Sequence, residues 1–256
     1  MAFSRVCSVS RVLALALALF AFTAGAETRS LLVLHTNDIH DHVAPGYNGR
    51  EGLCPLAGLV AAERAKRGDI LLLDGGDMME KGDMAAHRTK SRLTYELAAR
   101  MRYDMVTPGN HDFTYGEAHL KECYSLLEGA VPVCCNAFSK AGGTLFAPSA
   151  VKTVNGIRVG VIGAITDTDD ADTRSLKETA ALVAAEAKRL APETDLLIVL
   201  AHLGKNSCLE LAEAAPEVNL FVGGHTHELL REPVIAPSGA AVVQAGGNAA
   251  FLGRVE

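Results

Sequence analysis

The chain has 256 residues, 49% of them apolar and 21% charged, enough for a sizeable core in one large domain or two small ones. Tryptophan is absent, aromatics amount to 5%, and the formal net charge is −6. A basic duplex-binding surface and an aromatic platform for stacking bases are therefore both poorly supplied.

In chain order, residues 1–26 come first and read as a secretory signal. Arg5 and Arg11 make a basic start, "VLALALALFAF" a short apolar core, and "AGA" ending at Ala26 supplies small residues before a cut. The apolar run falls short of the ~20 residues of a membrane span, and no cysteine follows it, since Cys7 precedes it. An exported chain, periplasmic or secreted, with no stable membrane span after cleavage is expected. Its mature part, 27–256, loses two arginines and no acid, so the net charge becomes −8. Five cysteines remain, an odd number that leaves at least one unpaired or paired between chains.

The mature chain alternates short apolar runs with helical stretches. Strands are expected at Leu31–His35, Ile70–Leu73, Met105–Thr107, Val131–Cys135, Val151–Val154, Arg158–Ile162, Leu196–Ala201, Leu220–Val222 and Ala241–Gln244. Helices are expected at Leu56–Arg67, Met84–Arg102, Gly116–Leu127, Ser175–Leu190 and Cys208–Ala214. This order indicates a layered α/β domain. "VNGIRVGVIG" reads as a hairpin turning at Asn155-Gly156, so some pairing is antiparallel and the sheets are mixed. No repeat or linker interrupts 27–256, which reads as one domain.

Five of the strands end in polar clusters: "NDIH" (37–40), "DGGD" (74–77), "PGNHD" (108–112), "AHLGK" (201–205) and "GGHTH" (223–227). Loops at the carboxyl ends of strands are where α/β sheets build their sites. Together the clusters offer Asp38, His40, Asp77, Asn110, His202, His225 and His227. Several imidazoles beside carboxylates suit Mn, Zn, Fe or Co better than Ca or Mg. Seven donors exceed one tetrahedral ion and suit two ions sharing a carboxylate, clamping a phosphoryl group for attack by a metal-bound hydroxide.

The order D-x-H, G-D, G-N-H-D, H, G-H-x-H resembles the calcineurin-like metallophosphoesterases. "LHTNDIH", "LLLDGGD", "VTPGNHDF", "EVNLFVGGHTH" and "QAGGNAAFLGRVE" resemble the catalytic domain of the periplasmic 5′-nucleotidase and UDP-sugar hydrolase branch. The resemblance implies a four-layer α/β/β/α sandwich with two mixed sheets and two divalent metal ions. It places Asp38, His40, Asp77 and His227 on one ion and Asp77, Asn110, His202 and His225 on the other, with Asp77 bridging. It makes His111 the cation that steadies the phosphate and assists the leaving oxygen. The substrate it implies is a nucleotide or a related small phosphate. A phosphodiesterase or a sulfur-oxidation thiol hydrolase on the same scaffold is the alternative, and a partner-docking module with a degenerate site is a third reading.

Three positions depart from that branch. Asp41 replaces a usual glycine and is expected to face solvent. Thr114 stands where an acid three residues after the histidine is usual, so Asp112 becomes the local candidate to orient His111. The sequence ends at Glu256, before the second domain that stacks the base in the branch, so the phosphate chemistry transfers and the nucleoside specificity does not. Other polar residues receive plainer readings. His35 is expected to be a satisfied core histidine, His42 either lines the mouth or lies on the surface, and His87 and His119 are solvated. Asp74 serves the turn or supports the ligands, Lys205 touches substrate or is exposed, and "DTDDAD" (167–172) is a solvated loop rather than a calcium loop.

Overall fold

A computed structural model describes residues 29–45, 52–169 and 171–256; the expected signal at 1–26 lies outside them, as does Asp170 of the acidic loop. The elements run β1 (Leu32–Thr36), α1 (Leu53–Lys66), β2 (Ile70–Asp74), α2 (Met84–Arg88), α3 (Arg92–Ala99) and β3 (Met105–Val106). A 3₁₀ turn (His111–Phe113), α4 (Glu117–Leu126), β4 (Val131–Pro132), β5 (Ala137–Phe138), β6 (Ser149–Val154), β7 (Ile157–Ile165) and β8 (Asp172–Thr173) follow. The chain continues through α5 (Leu176–Leu190), β9 (Leu196–His202), α6 (Lys205–Ala214), β10 (Leu220–Gly223), β11 (Val234–Ile235), β12 (Ala241–Val243) and β13 (Gly253–Val255).

Two mixed sheets result. One has the order β13-β1-β2-β3-β4 and the other β11-β12-β10-β9-β7-β6. Strands β1 to β4 are parallel, as are β7, β9, β10 and β12; β13, β11 and β6 are antiparallel edges. The apolar runs are continuous because both faces of each sheet are covered. Val33, Leu71 and Leu73 on one sheet meet Val159, Val161, Ile198 and Val222 on the other. The alternate residues Leu32, Leu34 and Leu72 pack outward against Leu56, Val60, Tyr95 and Leu120 of α1, α3 and α4. On the far side Ile162, Val199 and Phe221 pack against Val183, Leu190 and Leu211 of α5 and α6. The expected helix-sheet-sheet-helix sandwich is present, and burying each large aliphatic side chain in it contributes about 1.5–3 kcal/mol.

Local signals behave as the sequence suggests at several points. Asn155 and Gly156 both have positive φ, 50° and 73°, the geometry of a tight hairpin turn between β6 and β7. Ser175 and Glu178 form a reciprocal capping box at the start of α5. The five cysteines among the described residues are all free, and four are buried. Elsewhere the structure differs. Cys134 and Cys135 lie beyond β4, which ends at Pro132. Helix α1 begins at Leu53, because Pro55 is tolerated in a first turn.

The largest difference is at Met84–Arg102, expected as one helix. It breaks at Lys90 and Ser91, whose φ values are 50° and 65°. The cause is Asp41, which faces the core rather than solvent, at 1% exposure. Its carboxylate accepts hydrogen bonds from Ser91 Oγ (2.6 Å), Thr94 Oγ1 and the Glu80 backbone N–H (2.9 Å). Ser91 is fully buried and turns out of helical geometry to reach that carboxylate. Asp41→Ala strands two hydroxyls and one N–H without their acceptor, at about 1–3 kcal/mol each. Urea unfolding is expected to show a loss of about 3 kcal/mol or more, given that cost per group.

Candidate metal centre

All the candidate donors lie at carboxyl ends of parallel strands, where the two sheets present their loops to one another. Asp38 and His40 follow β1, Asp77 follows β2, Asn110 follows β3, His202 ends β9, and His225 and His227 follow β10. Five of these seven, Asp38, His40, Asp77, His225 and His227, have φ between 48° and 77°. Left-handed backbone costs a non-glycine residue about 1–3 kcal/mol at functional sites, so the surrounding fold holds these side chains against their own preference. Close approach explains one glycine: a Cβ on Gly109 would lie 2.1 Å from Asp77 Oδ1.

The donor atoms converge. Asp77 Oδ2 lies 3.1 Å from His202 Nε2 and 3.6 Å from His40 Nε2. Asp38 Oδ1 lies 3.4 Å from His227 Nε2, 3.9 Å from His40 Nε2 and 4.0 Å from His202 Nε2. Asp38, His40 and His227 each bring one donor atom within 4.8 Å of the other two, as do Asp38, Asp77 and His202. Asn110 Oδ1 and His225 Nδ1 are 3.0 Å apart, and the rings of His202 and His225 are 5.4 Å apart.

The far side of each ring decides what the near side can do. His40 Nδ1 lies 3.1 Å from the Met79 carbonyl, and His202 Nδ1 lies 2.8 Å from the Gly75 carbonyl. A carbonyl only accepts, so both Nδ1 atoms carry a proton and both Nε2 atoms turn inward toward the carboxylates. His202 Nε2 is buried and faces only the Asp77 and Asp38 carboxylates. Nε2 of His40 and of His227 face each other at 3.0 Å. Imidazole nitrogens and carboxylate oxygens aimed at common points are a donor set for cations, and the mixture of imidazole, carboxylate and amide fits transition-metal divalent ions.

The electrostatics agree. Burial lowers His40 to about 4 and would lower His202 too, but the carboxylates of Asp77 and Asp38 hold His202 well above the ordinary range. Burial pushes Asp77 up, and the facing His202, His40 and His111 more than offset it, so Asp77 stays low. The two carboxylates thus draw positive charge to the point where the imidazoles meet.

Residues around the donors complete the support, one of them, Asp112, in a different role from the one expected. Asn37 donates to Asp38 Oδ2 (2.6 Å) and to the Gly246 carbonyl (2.6 Å), and accepts from the Ala245 N–H (2.9 Å), tying the first loop to "AGGN". Asp112 does not touch the His111 ring. It is buried, accepts the N–H groups of Gly109 (2.7 Å), Asp77 (2.9 Å) and Met79 (3.1 Å) and the Tyr95 hydroxyl (3.2 Å), and so pins the Asp77 loop. Burial and then Asp77 raise it to about 6. The acid on His111 is Glu80, whose Oε2 bonds Nδ1. Lys81 Nζ lies 2.6 Å from His111 Nε2. The missing acid at 114 is the signal in the sequence that another carboxylate was required.

Asp74 serves the turn, accepting Thr36 Oγ1 (2.5 Å) and the Gly76 N–H (2.9 Å). Lys205 pairs with Glu228 at 2.9 Å. His35 is in the core as expected, at 2% exposure, yet its Nδ1 finds no partner among the described residues. Burial keeps it neutral by lowering it to about 4.

Comparison with known proteins matches this arrangement. A probable 5′-nucleotidase of Treponema pallidum is 29% identical over 235 residues, covering 83% of this chain and 39% of that protein. The crystal structure of a 5′-nucleotidase precursor from Thermus thermophilus superposes with a TM-score of 0.76 at 27% identity, over 88% of this chain and 50% of that one. A sulfate thiohydrolase of the same organism superposes equally well, TM-score 0.76 over 89% of this chain and 53% of that one, but at 17% identity it shares the fold alone. The chain spans about two fifths of the length of the curated relatives it matches. Residues 31–229 match the family model of the calcineurin-like phosphoesterases, and the chain belongs to that family.

Proposed function

We propose that the chain is an exported, dinuclear-metal phosphoesterase that hydrolyses phosphate esters of nucleotides or related small phosphates. In this reading residues 1–26 are the signal and 27–256 the catalytic domain. The observation that carries it is the shared position of Asp77 Oδ2 between the inward Nε2 atoms of His40 and His202, beside the Asp38 cluster. Asp38, His40, Asp77 and His227 would hold one ion, and Asp77, Asn110, His202 and His225 the other, as Mn, Zn, Fe or Co. Such ions, when bound, neutralise phosphate charge and lower the pKa of a coordinated water.

The chain's own residues then do the rest. Asp77 Oδ1 accepts the His111 N–H at 2.8 Å, which fixes that histidine beside the shared carboxylate. The ring of His111 stands 5.2 Å from that of His40, at the rim of the cluster. There its Nε2 is placed to give a proton to the departing oxygen. In the balanced reaction the oxygen of water bonds to phosphorus, the bond from phosphorus to the ester oxygen breaks, and one water proton ends on the released alcohol. Among the described residues no helix is long and apolar enough to cross a membrane, which suits release of 27–256 after export.

The test is the mature chain with added Mn²⁺, assayed for phosphate release from AMP and for p-nitrophenol release from its mono- and bis-phosphate esters. Monoester turnover that chelation abolishes and Mn²⁺ restores is expected. Turnover of the bis-ester alone would replace the monoesterase reading with a diesterase. Asp77→Asn is expected to lower bound metal by elemental analysis and to cut turnover by at least ~10²-fold, since a shared ligand is lost from both sites. His111→Gln is expected to leave metal content unchanged and to lower kcat by about 10²–10⁴-fold, the usual worth of a placed proton donor.

A further inference from the structure

The histidines of the cluster are braced unequally. His40 and His202 each have a carbonyl behind the ring, from Met79 and Gly75. His227 has none among the described residues. Its ring lies against Gly247, where a Cβ would come within 2.8 Å of Nδ1. Its backbone is left-handed, φ 54°, and its side chain is 38% exposed. What holds it is the turn from Thr226 to Glu228, and that turn closes on one buried amide, Gln244. With its oxygen toward the turn, Gln244 accepts the Thr226 hydroxyl (3.2 Å), the His227 N–H (3.1 Å) and the Glu228 N–H (2.9 Å). The reverse orientation would set the amide's own N–H groups against two backbone N–H groups, so the oxygen faces the turn. The residues that follow Gln244 reach the other half of the same donor triplet. The Ala245 N–H and the Gly246 carbonyl hold Asn37, which donates to Asp38 Oδ2, and the Asn248 N–H bonds the Asp38 carbonyl at 2.6 Å. Among the described residues no hydrogen bond of 244–248 runs to Asn110, His202 or His225.

We propose that Gln244 is the positioning residue for His227. Through it, the segment 244–248 sets the occupancy of one ion position, that of Asp38, His40 and His227, separately from the other. A histidine with no brace on its far nitrogen keeps its direction only as well as its backbone is held. Here the backbone sits in a conformation it does not prefer, and one amide oxygen takes two of the turn's N–H groups. Without that oxygen both donors lose their partner and the turn is free to relax. The inference rests on the dinuclear reading for its consequence, and on hydrogen bonds alone for the contact.

Two measurements test the contact and its consequence in turn. In the metal-free protein, amide hydrogen exchange should show the N–H groups of His227 and Glu228 protected. Gln244→Met, similar in length but without an acceptor, makes both exchange about tenfold faster, the worth of one hydrogen bond. The Leu230 N–H, which bonds the Gln244 backbone carbonyl at 3.1 Å, keeps its protection and reports that the strand pairing is intact. In calorimetric titrations with Mn²⁺, the parent takes up two ions. Gln244→Met weakens one of them by about 10–100-fold, the usual cost of removing the support behind a ligand, and leaves the other in place. Gln244→Glu returns an oxygen to the same point and restores both the protection and the weakened affinity. Protection at 227 and 228 that survives in Gln244→Met, loss of Leu230 protection along with it, loss of both ions together, or a Gln244→Glu variant that behaves as Gln244→Met overturns the proposal. A parent that takes up fewer than two ions, while its protection still depends on Gln244, retains the contact and sinks the dinuclear reading instead.

Discussion

The structure is organised around the problem of burying aspartates. Asp38, Asp41, Asp74, Asp77 and Asp112 are each at most 1% exposed, and all five follow or end strands of the same sheet or lie in the turn beyond it. An ionised carboxylate cannot stay in such surroundings without donors or cations around it. Three of the five are supplied by the protein itself. Asp41 has two hydroxyls and an N–H, Asp74 a threonine and an N–H, and Asp112 three N–H groups and a tyrosine. Asp38 and Asp77 are different. Asp38 accepts the Asn37 amide and the His225 N–H, and Asp77 the His111 N–H, but both also face the imidazole nitrogens of His40 and His202, with His227 beside Asp38. What sets Asp38 and Asp77 apart from the other three is thus the imidazoles they face.

The same constraint accounts for the backbone. Parallel strands deliver their loops to one edge, but an extended strand followed by ordinary turn geometry would splay the side chains outward. Left-handed residues at positions 38, 40, 77, 225 and 227 fold the carboxylates and imidazoles back over the strand ends. The Asp112 clamp on the Asp77 loop and the Asn37 tie to residues 245–246 hold two of those turns. The glycines around them are there for space as much as for φ, since a Cβ on Gly76, Gly109 or Gly224 would lie 2.1–2.9 Å from a side-chain atom of Asp77 or His202, too close for contact.

This is why the sequence was legible in some places and not in others. Hydrophobic runs and helical periods report which elements exist and that they form a layered α/β domain; the helix-sheet-sheet-helix order came from the family resemblance. Histidines and aspartates next to glycine at strand ends report that a site exists and where its donors come from. Neither signal carries direction. Asp41 follows the same strand as Asp38 and His40, and nothing local says that it points into the core; its acceptors' partners, Ser91 and Thr94, are some fifty residues on. The break in the expected helix at 89–91 follows from that one contact. Likewise Asp112 neighbours His111 in sequence, yet in the 3₁₀ turn its side chain leaves on the opposite side and serves backbone N–H groups.

Seen through those contacts, the departures at 41 and 114 meet at one residue, Glu80. A carboxylate at 41 makes the left-handed turn at Glu80 tenable, because it gives the turn's N–H an acceptor inside the core. That turn aims Glu80 at His111, and a threonine at 114 then suffices, since its hydroxyl needs only to donate to an oxygen already in place. Any one of the three alone would be a defect: a buried charge short of partners, a strained turn without support, or a histidine without its acid. Coupled contacts of this kind are not additive. Asp41, Glu80 and Thr114 have to be read as a unit of loop geometry that links the fold's core to the His111 ring.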